Sequence, residues 1–181
     1  MRYSSPAVAS ESDCEKNCVP KCETGWEEEG GKCYFFSEDE WTWVRAEEDC
    51  KRDHGWHLAS VTDKQTNDFI AKHLTASYPF WIGARQTFES DKASWAWADG
   101  CSPWNYTSWA RPGWPKNYNA DGVAERECAF LEKPAGTGYG ARWVAVKCDD
   151  PKRKFKFVCS TPICPNEPIN RVTGETLKPT F

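Results

Sequence analysis

Ten cysteines, at positions 14, 18, 22, 33, 50, 101, 128, 148, 159 and 164, stand against a single methionine. In a chain of 181 residues that number reads as a disulfide framework, which forms and persists in oxidising compartments. The expected setting is secreted, or the extracellular part of a larger protein. One domain of roughly 100–150 residues with extensions fits this length. The formal net charge of −4 offers no basic face for phosphates, so nucleic acid is not an expected partner. No run approaches the roughly 18 consecutive apolar residues of a membrane span. The opening stretch MRYSSPAVASESDC also lacks the apolar core of a signal peptide. The chain therefore reads as a mature or excised fragment with no membrane span of its own.

Local patterns give the elements. Residues 1–21 are polar and carry Cys14, Cys18 and Pro20 without an apolar period, which predicts an arm held by bridges. The tail from 161 to 181 is Pro-rich and reads the same way. In FFSEDEWTWVRAEEDC, Ser37 and Glu40 have capping-box spacing, and Phe36 with Trp41 resembles a hydrophobic staple. Trp43, Ala46 and Cys50 then recur at helical spacing. In VTDKQTNDFIAKHL, Thr62 and Gln65 repeat the box, and Phe69, Ile70 and Leu74 supply the buried stripe of a second helix. PFWIGA, SWAWAD, ECAFLE, RWVAVKC and KFKFVC are short aromatic or β-branched runs between turn residues, which is strand chemistry. The expected class is α+β, with an antiparallel sheet.

A long stretch over 99–125 is rich in Pro, Gly, Asn and aromatics. Loops beyond roughly 12–15 residues are usually functional or disordered, and the Trp and Tyr content argues against disorder. Asn105 opens the glycosylation triplet Asn-Tyr-Thr, whose use depends on burial. The run DDPKRKFKF gathers Lys152, Arg153, Lys154 and Lys156 around a turn, which suits either a sulfated glycan or plain solvation.

Taken together, CETGWEEEGGKCYFF, AEEDC, GWHLASV, FWIGA, WAWADG, YTSW, the segment from Trp143 to Cys148 and the final FVC resemble the C-type lectin-like domains over residues 22–159. That resemblance implies a domain over 22–160 with two bridged terminal arms. It implies Cys22 with Cys33, Cys50 with Cys159, and Cys128 with Cys148. A bridge closing as long a loop as the second contributes roughly 4–5 kcal/mol in the chain-entropy treatment. Cys14, Cys18, Cys101 and Cys164 remain, with three pairings open. Because both termini of such domains leave from one end, one of the arm cysteines Cys14 and Cys18 is expected to join Cys164. Cys18 and Cys164 are taken as bridge-forming residues. Cys101 then meets the remaining arm cysteine or links two chains in a dimer. The four-residue spacing of Cys14, Cys18 and Cys22 also suits a metal, but an oxidising compartment favours bridges.

In sugar-binding members of the family, five side chains hold a Ca²⁺ ion that binds the sugar directly. They come from a loop tripeptide of Glu-Pro-Asn type, a Glu two residues before the next Cys, and an Asn-Asp pair after a strand Trp. Ca²⁺ takes 6–8 oxygens, with carboxylates balancing its charge. Here the tripeptide is Trp114-Pro115-Lys116, the Glu position is Arg126, and the pair after Trp143 is Val144-Ala145. A cation held at ~4 Å from the divalent ion would repel it by on the order of 8 kcal/mol at an effective dielectric of ~20. Lys116 and Arg126 can swing away, yet swinging restores no ligand. No cofactor is expected. Pro115 matches the position where the family uses a cis proline. A second, auxiliary Ca²⁺ site would draw on Glu89, Asp91, Asn117 and Glu127, in uncertain register.

Arg111, Trp114, Lys116, Asn117, Tyr118 and Arg126 form the candidate ligand surface, since Trp, Tyr and Arg are enriched at binding hot spots. The same aromatics equally suit the small core of a long loop. His57 matches a structural family position. His54 and His73 have no nucleophile or acid at catalytic spacing, so an enzyme is not expected. The reading is an extracellular recognition module binding a protein without calcium; the alternative is a lectin holding glycans by aromatic stacking and basic contacts.

Overall fold

A computed structural model of the chain describes residues 18–54, 56–75, 78–89, 92–111, 127–134 and 140–164. Strands β1 (Glu27–Glu29) and β2 (Lys32–Phe36) form a hairpin. Its two-residue turn, Gly30 and Gly31, takes φ of 57° and 76°, a left-handed pair that glycine adopts at least cost. Helix α1 (Trp43–Asp53), the short strand β3 (His57–Leu58) and helix α2 (Lys64–Ala71) follow. Five more strands follow among the described residues: β4 (Phe80–Glu89), β5 (Lys92–Trp97), β6 (Glu127–Glu132), β7 (Arg142–Lys147) and β8 (Lys156–Pro162). The sheet runs β1-β2-β8-β4-β6-β7, with β3 on β8 and β5 on β4. All pairs are antiparallel except β4 with β8, so the sheet is mixed rather than purely antiparallel.

Both faces of this sheet are covered, and side-chain alternation shows how. Phe80, Ile82, Leu131 and Val158 enter one core with Phe69, Ile70 and Leu74 of the α2 region. Their neighbours Trp81, Phe130 and Phe157 enter a second core with Trp43, Ala46 and Cys50 of α1. A period of two on strands buried on both sides explains why these runs are apolar throughout. Phe35 and Phe36 divide in the same way. The His54 ring lies over Phe35 at 3.9 Å between centroids, and the His73 ring stacks on Phe36 at 3.8 Å.

Both helices begin later than the capping boxes predict. Thr42 caps α1 by accepting from the Arg45 amide, while Ser37, buried at the end of the hairpin, uses its hydroxyl on Asp39. Asp63 caps α2, its carboxylate accepting from the Thr66 amide at 2.7 Å, while Gln65 reaches across to Glu29. Buried Glu47 on α1 secures β3 by accepting from the Leu58 amide at 3.0 Å and meeting His57 Nδ1 at 2.6 Å. His57 is thus a structural partner.

Covalent ties close the frame. Cys50–Cys159 joins α1 to β8 across 109 positions, and Cys22–Cys33 closes the amino-terminal hairpin. Cys128–Cys148 joins β6 to the end of β7, and Cys18–Cys164 joins the two terminal segments across 146 positions. Cys101 is also disulfide-bonded. Cys14 lies outside the described residues. Among the described residues no helix is long and apolar enough to cross a membrane.

Candidate ligand-binding loop and its aromatic base

The candidate ligand residues fall between Arg111 and Glu127 in the sequence. Arg111 is exposed. Trp114, Pro115, Lys116, Asn117, Tyr118 and Arg126 lie outside the described residues. What the structure describes is the base on which the loop is mounted, and that base flanks β7. On one side Trp109 bridges to Trp143 in parallel: the Trp143 amide donates to the Ser108 carbonyl at 2.7 Å, and the Ala110 amide donates to the Trp143 carbonyl at 2.9 Å. On the other side β6 pairs with β7 from Glu127 opposite Lys147 to Glu132 opposite Arg142. The Arg142 guanidinium also donates to the Ala110 carbonyl at 3.2 Å.

Aromatic packing fills the space beneath. Trp143 is fully buried, and Trp97, Trp104, Tyr106 and Trp109 all place their rings within 6 Å of it. All four contacts are steeply tilted, from 59° to 82°, as ring quadrupoles favour. Trp95 extends the cluster to Trp109 at 4.8 Å. Residues 103–108 adopt neither helix nor strand, yet their burial alternates: Trp104 and Tyr106 turn inward while Asn105 and Thr107 are exposed. The first half of the long stretch is therefore fixed by its own aromatics.

A polar clamp completes the base. The Asp99 carboxylate accepts from the Cys101 and Ser102 amides, each at 3.0 Å, and from the Ser102 hydroxyl at 2.6 Å. Ser102 Oγ lies 2.8 Å from Ser60 Oγ, and the Lys32 ammonium donates to Ser60 at 2.6 Å and to Ser102 at 3.3 Å. Burial pushes Asp99 up, but its three hydrogen bonds and Lys32 prevail and hold the carboxyl below the usual carboxylate range. Burial lowers the Lys32 ammonium from its ordinary value, with Asp99 and Asp63 pulling the other way. Hairpin, loop entrance and the segment before α2 are thereby tied at one point. The partners are 28 to 70 positions apart, so no local spacing announces them.

Of the five positions where the family's sugar-binding members place calcium ligands, two are described. Val144 faces Phe130 across the ladder and packs against the α1-side core, and Ala145 is buried opposite Ala129. Both are hydrocarbon and fixed within a paired strand, and the donor set a hard cation requires is not met there. Among the described residues no three His, Cys, Asp or Glu side chains gather as a metal site. Of the auxiliary set, Asp91 and Asn117 lie outside the described residues, Glu89 ends β4 and Glu127 opens β6.

Comparison with known proteins agrees with this architecture. The Lectin C-type domain family matches residues 39–161. The lactose-binding lectin l-2 of Anguilla japonica is 31% identical over 151 residues, covering 81% of this chain and 83% of that protein. Asialoglycoprotein receptor 2 of Mus musculus is 34% identical over 97 residues, which are 53% of this chain and only 30% of the receptor's length. Among solved structures, the carbohydrate-recognition domain of the mouse scavenger receptor C-type lectin superimposes with a TM-score of 0.61 at 29% identity, covering 78% of this chain and 98% of that domain. With that fold, that cysteine frame and a family match over most of its length, the chain belongs to the C-type lectin domain family, whose members are binding proteins rather than enzymes.

Proposed function

We propose that this protein is an extracellular recognition module that binds a protein ligand without calcium, through the loop bearing Arg111, Trp114, Lys116, Asn117, Tyr118 and Arg126. One observation carries the calcium-independent part: Val144 and Ala145 stand on β7, as packed hydrocarbon, at the paired positions where sugar-binding relatives place oxygen ligands. Sequence extends it to Trp114, Lys116 and Arg126, which add two cations and no carboxylate. Without a metal to polarise sugar hydroxyls, the remaining chemistry of the loop is aromatic and basic, the composition that anchors protein interfaces. The disulfide frame supports an oxidising, extracellular setting.

A second reading rests on a different observation. The lactose-binding lectin from Anguilla japonica shares 31% of residues with this chain over most of both. Exposed Trp and Tyr can stack on sugar rings with no metal present. Arrays of extracellular proteins and of glycans, each probed in calcium and in EDTA, separate these readings. The proposal expects protein binding of equal strength in both buffers, sharply reduced by Trp114→Ala and by Lys116→Glu. Selective glycan binding in EDTA that Trp114→Ala abolishes would favour the second reading, and any binding that requires calcium would defeat both.

A further inference from the structure

Asn105-Tyr106-Thr107 is the only Asn-X-Ser/Thr triplet in the sequence. The structure gives it an unusual setting. Trp104 packs on Trp97 at 4.8 Å and Tyr106 on Trp143 at 5.8 Å, so both neighbours of Asn105 are anchored in the aromatic base. Asn105 and Thr107 are left on the solvent side, in a segment outside every helix and strand. Inward packing of the flanking rings holds the triplet open to solvent, and the chain bears the bridges of a compartment in which such triplets are modified.

We propose that Asn105 is an N-glycosylation site, and that its glycan covers the outer side of the loop base without touching the core. In the modification, the Asn105 amide nitrogen forms a bond to the anomeric carbon of an oligosaccharide carried on a lipid diphosphate. The bond from that carbon to the diphosphate oxygen breaks, the lipid diphosphate leaves with the electron pair, and the nitrogen gives up one proton. Nothing is oxidised or reduced. The Thr107 hydroxyl is the second recognition element of the triplet, and Thr107, like Asn105, is exposed. A glycan here would cover a surface with three half-buried tryptophans beneath it, Trp95, Trp104 and Trp109. The inference is independent of what the loop binds.

The test uses the whole chain, directed by a secretion leader into a glycosylating eukaryotic cell and recovered both from the medium and from the lumen. Digestion with an amidase that releases N-glycans should lower the mass of the wild type and leave Asp at position 105 in the peptide map. Thr107→Ser should keep the glycan. Asn105→Gln and Thr107→Ala should lose it completely, with an unchanged melting temperature because neither side chain is packed. An unmodified Asn105 in folded wild-type protein from both fractions would overturn the proposal. So would a glycan that persists in Asn105→Gln. Because the wild type and Thr107→Ser carry the decisive reading, a failure of either other variant to fold leaves the outcome decidable.

Discussion

The indole N–H of Trp143 donates to the side-chain oxygen of Asn67 at 2.8 Å, joining the strand at the centre of the loop base to a helix residue 76 positions earlier. Both residues are buried, and the Asn67 amide returns a hydrogen bond to the Ala141 carbonyl at 3.3 Å. One carboxamide therefore satisfies the indole and fixes the approach to β7. Asn67→Ala leaves the buried indole N–H and the Ala141 carbonyl without this partner. A buried group left unsatisfied costs about 1–3 kcal/mol. Urea unfolding should show a lower midpoint with an unchanged slope. An unchanged midpoint would mean that the bond contributes nothing to stability.

Asp99 makes stability depend on acid. Its carboxyl is held below the ordinary range in the folded chain, so the ionised form stabilises the fold at every pH above the unfolded value of about 3.9. That contribution is lost as pH falls through the lower, folded value. Asp99→Asn cannot accept the Ser102 hydroxyl bond at the amide end and leaves Asp63 as the remaining carboxylate acting on the Lys32 ammonium. Charged hydrogen bonds of this kind contribute about 1.5–3 kcal/mol. The variant should be less stable by that order at neutral pH and should show a weaker loss of stability below pH ~4. Parallel unfolding curves across that acid range would contradict the assignment.

Gly83 on β4 lies tight against the backbone of Leu58 and Ala59, at the end of β3. Its amide donates to the Ala59 carbonyl at 2.8 Å, its carbonyl accepts from the Ala98 amide at 2.8 Å, and an added Cβ would collide with the Leu58 carbonyl oxygen. Backbone on both sides leaves no flexible side chain to yield. Gly83→Ala should cost about 1–3 kcal/mol, the usual penalty for overpacking, measured as a fall in the unfolding midpoint.

How much of this was legible in the sequence differs by element, for physical reasons. The late strands were readable because aromatic and β-branched residues fill both faces of a covered sheet, and Trp81, Phe130 and Phe157 carry that signal with no help from context. Helix caps lie later than the boxes predict, at Thr42 rather than Ser37 and at Asp63 rather than Thr62. Ser37 has the spacing of a cap but is buried against the hairpin, and beside Thr62 the stronger acceptor Asp63 takes the Thr66 amide. The parallel pairing of β4 with β8 depends on where β8 returns after the long loop, which no local pattern encodes. At the loop base, Asp99 opens the long stretch without a signal of its own. Its clamp with Ser60, Ser102 and Lys32 is assembled only by the fold, and the tryptophan cluster around Trp143 shows in sequence as composition without arrangement. The candidate ligand residues from Trp114 to Arg126 rest on the aromatic and basic composition of the stretch that the family resemblance marks out, and they remain a proposal.

Calcium independence is tested most directly by calorimetric melting of the whole protein in EDTA and in increasing calcium. An ion that binds only the folded state must raise the melting temperature as its concentration exceeds its dissociation constant. With Val144 and Ala145 packed as hydrocarbon on β7, the same melting temperature is expected in every buffer. A melting temperature that climbs with calcium and returns to its starting value in EDTA would contradict the account.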